Sequence, residues 1–137
     1  MNNKVIVGSK SDKELKLTTN AVELLVKNKS TAQNSIVQIL DVRVVSSAVL
    51  NLADRYRIVI SDGCNYVHGM ISDDLIRHVL SGGLVCNCTV KVVEYVTEFV
   101  NGDPVVIILD LEIEKKLNYR VGLPKEYNLN NKNPAGP

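Results

Sequence analysis

Arg55 and Arg57 flank a tyrosine in the run Arg55-Tyr56-Arg57-Ile58-Val59-Ile60, which passes directly into Ser61-Asp62-Gly63. The β-branched residues favour a strand. Ser-Asp-Gly favours a tight turn, because Gly tolerates positive φ and Asp bonds to its own backbone. Side chains alternate across a strand, so the two guanidinium groups share one face, about 7 Å apart at the usual rise per residue, with Tyr56, Ile58 and Ile60 on the other. Paired, fixed cations are chemistry for holding an anion. The remaining reactive side chains point to no catalyst. Ser61 and Asp62 lie near His68, but a serine in a tight turn is a turn residue, and no oxyanion-hole loop is visible. The glycines at 63, 69, 82, 83 and 102 punctuate turns and do not form a phosphate loop. His68 alternates with Tyr66 and Met70 and reads as an interior or rim histidine. The expectation is a binding protein, with no enzymatic activity and no cofactor.

The cysteines Cys64, Cys86 and Cys88 are odd in number, and Cys86-Asn87-Cys88, read as part of a strand, would send both thiols to one face. No stretch reads as a signal peptide or a membrane span, so reduced, metal-free thiols in an intracellular protein are expected. The 16 Lys+Arg against 15 Asp+Glu leave a net charge of +1, so no global field draws nucleic acid and any electrostatic role must be local. One Phe and no Trp mean a core of Val, Ile and Leu and few stacking platforms for bases.

The elements that must place the arginines follow from turn signals and alternation. Residues 1–16 are polar and read as a loose leader, 17–127 as one domain, and 128–137, ending Asn-Pro-Ala-Gly-Pro, as the start of a linker to further domains. Asn20 reads as the N-cap of a short helix to Lys27, with Glu23 completing a capping box. Strands are expected over Ile36–Val45, Arg55–Ser61, Cys64–Ile71, Leu84–Thr97 and Pro104–Ile113. A helix capped within Ser72-Asp73-Asp74 is ended by Gly82-Gly83, and Asn101-Gly102-Asp103 turns the last hairpin. Five strands with a helix between the third and fourth predict an all-β protein with short helices: a five-stranded OB-fold Greek-key barrel, its end capped by the N-terminal helix. OB-folds bind along their second and third strands, where the arginines lie. Asp110, Glu112 and Glu114 read as the solvent side of the last strand.

The strings Val37-Gln38-Ile39-Leu40-Asp41-Val42-Arg43, Asp54 to Gly63 and Val105 to Ile113, with Gly122-Leu123-Pro124 and Tyr127-Asn128, resemble the N-terminal domain of the replication protein A large subunit, from about Leu17 to Tyr127. The resemblance implies a nuclear protein-interaction module of a single-stranded DNA-binding complex in replication, repair and checkpoint signalling. Such a domain takes acidic amphipathic segments of repair, checkpoint or recombination proteins, and meets its other subunits through the rest of the parent chain. Carried over position by position, the peptide-binding groove comprises Arg43, Val45 and Ser46 on the first strand, Arg55 and Arg57 on the second, Gly69 and Ile71 on the third, and Val105 and Ile107 on the fifth. Asp103 stands where the family leads one to expect arginine, and the loop from Ser46 to Asp54 carries Val49, Leu50 and Leu52, which predict a more apolar wall. The alternatives are direct, weak, salt-labile binding of single-stranded DNA by the same groove, or a paralogue specialised for telomere or telomerase work. Tyr56 and Tyr66, counted by alternation, face the core, which disfavours the DNA reading.

Overall fold

A computed structural model describes residues 16–47 and 52–128, with side chains for all of these except 46, 47 and 52–54. In chain order the elements are α1 (Ala21–Val26), β1 (Ser35–Ser47), β2 (Leu52–Ser61), β3 (Asn65–Ile71), α2 (Ile76–Leu80), β4 (Thr89–Val100), β5 (Asp103–Lys115) and a short β6 (Lys125–Glu126). The expected loop residues Val49 and Leu50, and the side chain of Leu52, lie outside the described residues. β1 pairs antiparallel with both β2 and β4, β2 with β3, and β4 with β5, while a parallel β3–β5 pairing closes the five strands into a barrel. This is the OB-fold that the element order predicts.

Its interior is aliphatic. Val37, Ile39, Ile58, Ile60, Val90, Val92, Val106 and Ile108 are each no more than 1 % exposed, and Ala21, Val22, Leu25 and Val26 of α1 pack into the same cluster. The helix is anchored differently from the expected capping box. Asn20 is left-handed, with φ 59°, and its side chain caps nothing, while Glu23 accepts from Lys27 Nζ at 2.9 Å. The orphan N–H of Val22 instead donates to Asp62 Oδ2 at 3.0 Å. Oδ1 of the same carboxylate accepts from the N–H groups of Cys64 at 2.9 Å and Asn65 at 2.8 Å. One side chain thus forms the β2–β3 turn and holds the helix against it. The second helix also lacks the expected side-chain cap, since a 3-10 turn over Asp73–Leu75 leads into it. It ends at Leu80, and Gly82, with φ +84°, turns the chain away just beyond its C-cap Ser81.

β4 starts at Thr89 and not at Leu84, because residues 84–88 form turns in which Asn87 takes φ 71°. Cys86 is consequently exposed while Cys88 is buried, so the two thiols do not share a face; all three cysteines are free. Burial pushes the Cys88 thiol above its usual range. That loop is held by Gln38, a fully buried amide on β1. Its Nε2 donates to the carbonyls of Asn87 at 3.0 Å and Tyr119 at 2.8 Å, and its Oε1 accepts from Val121 N–H at 2.8 Å.

The parallel closure depends on Gly69. A Cβ at this position would overlap the backbone carbonyl oxygen of Val106 on β5, and backbone paired on both sides cannot yield as a side chain can. Gly69→Ala is therefore expected to cost about 2 kcal/mol by overpacking, which exceeds the ~0.5 kcal/mol that a lost glycine returns through the unfolded chain. Urea denaturation checks this, and an unchanged or raised midpoint would contradict the closure argument.

Candidate functional site

A one-residue irregularity in β1 creates the basic face. Gln38 and Ile39 pair with Ser61 and Ile60, but Asp41 pairs with Val59, leaving Leu40 as the extra residue of a bulge. Val37 and Ile39 point into the core; without the bulge, residues of the same parity farther along β1 would do so too. Past it, Arg43 and Val45 lie on the outer face, opposite Arg57 and Arg55 respectively. Re-aiming of this kind is a common use of bulges near binding sites.

Directly opposed residues share a face, so the pairings can be followed across the barrel as one rung. Arg43 faces Arg57, Arg57 faces Met70, Met70 faces Ile107, and Ile107 faces Val96. The rung is basic on β1 and β2 and apolar on β3, β5 and β4. Opposed like charges cost stability. Of the opposed pair, Arg43 has a counter-ion among the described residues, with its Nη2 3.2 Å from Asp41 Oδ2 and its side chain 74 % exposed. Among the described residues no acid lies within ion-pair distance of Arg55 or Arg57. On the apolar side Val96 is 40 % exposed, and Phe99 and Val100 toward the hairpin tip are more exposed still. Asn101 and Gly102 turn that hairpin with φ 54° and 88°, the signature of a type I′ turn, and place exposed Asp103 opposite Val100.

The structure gathers Arg43, Val45, Arg55, Arg57, Val105 and Ile107 on the outer face. The side chain of Ser46 lies outside the described residues. Gly69 and Ile71 do not line the outer face. Both are buried on the core side, Ile71 within the main cluster; the β3 positions that do face outward are His68 and Met70, opposite Val59 and Arg57. His68 is accordingly no interior histidine. Its side chain is 57 % exposed, with Nε2 3.8 Å from Glu126 Oε2. Tyr56 is half-buried against the core as expected. Tyr66 is not directed there, and its ring meets that of His68 edge to face, with centroids 6.0 Å apart.

Sequence alternation missed Met70, Val96, His68, Tyr66 and Arg120. These last three, with Leu40, Asp41, Arg43 and Val59, line a depression of about 390 Å³, which continues into a smaller one of about 160 Å³ reaching Arg57. Among the described residues no three metal-ligating side chains converge.

The family described as Replication factor-A protein 1, N-terminal domain, matches residues 17–116. The chain is 30 % identical over 117 residues to the mouse Replication protein A 70 kDa DNA-binding subunit, covering 82 % of this chain and 18 % of that protein. Two Arabidopsis thaliana proteins, Replication protein A 70 kDa DNA-binding subunits E and A, are 26 % and 25 % identical over 114 and 108 residues. Those alignments cover 81 % and 79 % of this chain, and 14 % and 17 % of the respective relatives. The chain thus spans less than a fifth of the length of each of these relatives.

Proposed function

Because the chain belongs to the family of the Replication factor-A protein 1 N-terminal domain, we propose that it is the protein-recruitment module of a single-stranded DNA-binding complex. In this reading it works in the nucleus and captures acidic amphipathic segments of repair, checkpoint or recombination proteins. The observation that carries the reading is the rung Arg43, Arg57, Met70, Ile107, Val96, in which two arginines, one of them paired with Asp41, adjoin half-buried Met70 and Ile107 and exposed Val96. An amphipathic helix lays its apolar side on Met70, Ile107 and Val96 and its carboxylates on Arg43, Arg55 and Arg57. Apolar burial supplies most of the affinity, and the exposed arginines speed encounter and select acidic partners.

Calorimetric titration with an acidic amphipathic peptide and a scrambled peptide of the same composition tests this. At least tenfold tighter binding of the amphipathic peptide is expected, since scrambling keeps the charge and destroys the apolar stripe. Equal affinities would reduce the site to a nonspecific cation cluster. Asp103, exposed where β5 begins, repels an acidic ligand lying over Val105 and Ile107. Asp103→Arg is therefore expected to tighten peptide binding by about three- to tenfold at low salt, in keeping with the modest worth of exposed charges. Unchanged or weaker binding would remove the hairpin from the groove.

A further inference from the structure

Beyond the Thr97–Val106 pair, β4 and β5 run on as a two-stranded ribbon with no described strand on either side. β1 pairs with β4 only at Thr89–Val92, and β3 with β5 only at Val106–Ile108. The Thr97 hydroxyl ties the root of the ribbon to the barrel by donating to the Leu25 carbonyl at 2.8 Å. At the tip, Phe99, the single phenylalanine of the chain, and Val100 are both more than half exposed. A protein that keeps its one Phe out of an aliphatic core forgoes a large burial there. Glu98 lies opposite Val105, and Val100 opposite Asp103, so both acids share the outer side of the ribbon with Val96 and Val100. Both acids are exposed, and among the described residues neither has a cation within ion-pair distance. The tip is an acidic, apolar projection, and the same chain carries its complement: Arg55 and Arg57, equally without a described acid, beside Met70 and Ile107. The ribbon cannot bend back onto that groove, because Val96 and Ile107 at its root are part of the groove floor.

We propose that the ribbon tip of one copy docks in the basic-to-apolar groove of a second copy of this chain. Inserted end-on, the tip sets Glu98 and Asp103 against Arg55 and Arg57, Val100 over Met70 and Ile107, and Phe99 against exposed Val45. The inference rests on the groove assigned above to acidic partner segments and adds a regulator of it, since a docked ribbon must leave before a partner enters. The contact is heterologous, ribbon to groove, so each copy offers both halves of it. One ribbon tip makes a contact of the weak, transient class, below ~1,200 Å². Self-docking therefore takes hold where copies are held close together, at high effective concentration, and yields to a better-fitting segment.

Sedimentation equilibrium of the 137-residue chain at low salt is the test, from about 10 µM to about 1 mM, the span in which contacts of this size associate. The mean mass is expected to rise above that of the monomer across the series, and to rise less at high salt. Two double variants, Glu98→Gln with Asp103→Asn and Arg55→Gln with Arg57→Gln, all at exposed positions, should each weaken self-association about tenfold. An equimolar mixture of the two should recover it, because one supplies an intact groove and the other an intact ribbon. Val100→Ser, which leaves every charge in place, should weaken it several-fold. The inference is overturned if the chain stays monomeric up to about 1 mM, if either double variant associates like wild type, or if the mixture stays monomeric. It is overturned equally if Val100→Ser changes nothing, which would reduce the attraction to diffuse charge. An acidic amphipathic peptide should dissociate the self-docked copies. Peptide binding by a chain that stays monomeric would sink self-docking and leave recruitment standing, whereas self-association that such a peptide neither binds nor displaces would sink recruitment alone.

Discussion

Arg57→Glu is expected to weaken binding of an acidic amphipathic peptide by roughly ten- to a hundredfold, about 1–3 kcal/mol, while leaving the domain at least as stable as wild type. The two halves of this result have one cause. Arg57 stands directly opposite Arg43 on the outer face, and the pair is kept at a cost in self-repulsion. A glutamate at 57 turns that repulsion into a cross-strand attraction worth a few tenths of a kcal/mol at an exposed site, yet presents a peptide carboxylate with a like charge. Arg55→Glu, opposite Val45, should lose affinity similarly without the gain in stability, and Lys116→Glu, exposed beyond β5, should change little. Calorimetric titration with thermal melts separates the outcomes. Variants Arg55→Glu and Arg57→Glu that both melt like wild type and bind the peptide just as tightly would show that the arginines are an ordinary solvated face.

Asp62→Ala should be the most damaging single change away from the groove, at about 3 kcal/mol. Its carboxylate accepts three backbone N–H groups, from Val22, Cys64 and Asn65, and hydrogen bonds to a charged acceptor are each worth about 1.5–3 kcal/mol. The full sum does not apply, because the turn amides of Cys64 and Asn65 lie near the surface and can regain water. The Val22 amide, in a fully buried residue, cannot, and it keeps the desolvation penalty of an unpaired donor. Asp62→Asn retains one acceptor oxygen and should cost about half as much. A urea midpoint for Asp62→Ala that gives a loss under about 1 kcal/mol would mean α1 is held by apolar packing alone.

Local chemistry announced the strands and turns. Ser61-Asp62-Gly63, Gly82-Gly83 and Asn101-Gly102 mark chain reversals through residues that adopt positive φ or bond their own backbone, and the strands lie between them. The element order then implied the barrel, because few folds place a helix between the third and fourth of five strands. Register was not legible. Between paired Ser61 and Tyr66 the turn contains Asp62, Gly63, Cys64 and Asn65, so partners on β2 and β3 have opposite parity. The resemblance carried the groove onto Gly69 and Ile71, odd positions like Arg55 and Arg57, whereas this register puts His68 and Met70 on the outer face of β3. The bulge at Leu40 is equally silent in the sequence, since Leu40 has the side chain of an ordinary strand residue; here it preserved the assignment of Arg43. The capping role of Asp62 joins residues 40 positions apart, and no local motif encodes such a bond. Gly69, read as a turn glycine and as a groove position, instead sits within β3, where the absence of a Cβ admits the close approach of the Val106 carbonyl.

Whether one basic-to-apolar rung across β1, β2, β3, β5 and β4 captures acidic amphipathic segments is decided by an NMR titration of the labelled domain with such a peptide. Saturable shifts are expected for the amides of Arg43, Arg57, Met70, Ile107 and Val96, extending toward the Asn101-Gly102 hairpin and lost in the Arg55→Glu, Arg57→Glu double variant. Shifts confined to the separate depression formed by Asn28, Lys29, Gln33 and Tyr95, or a shift pattern that survives both charge reversals, would contradict it.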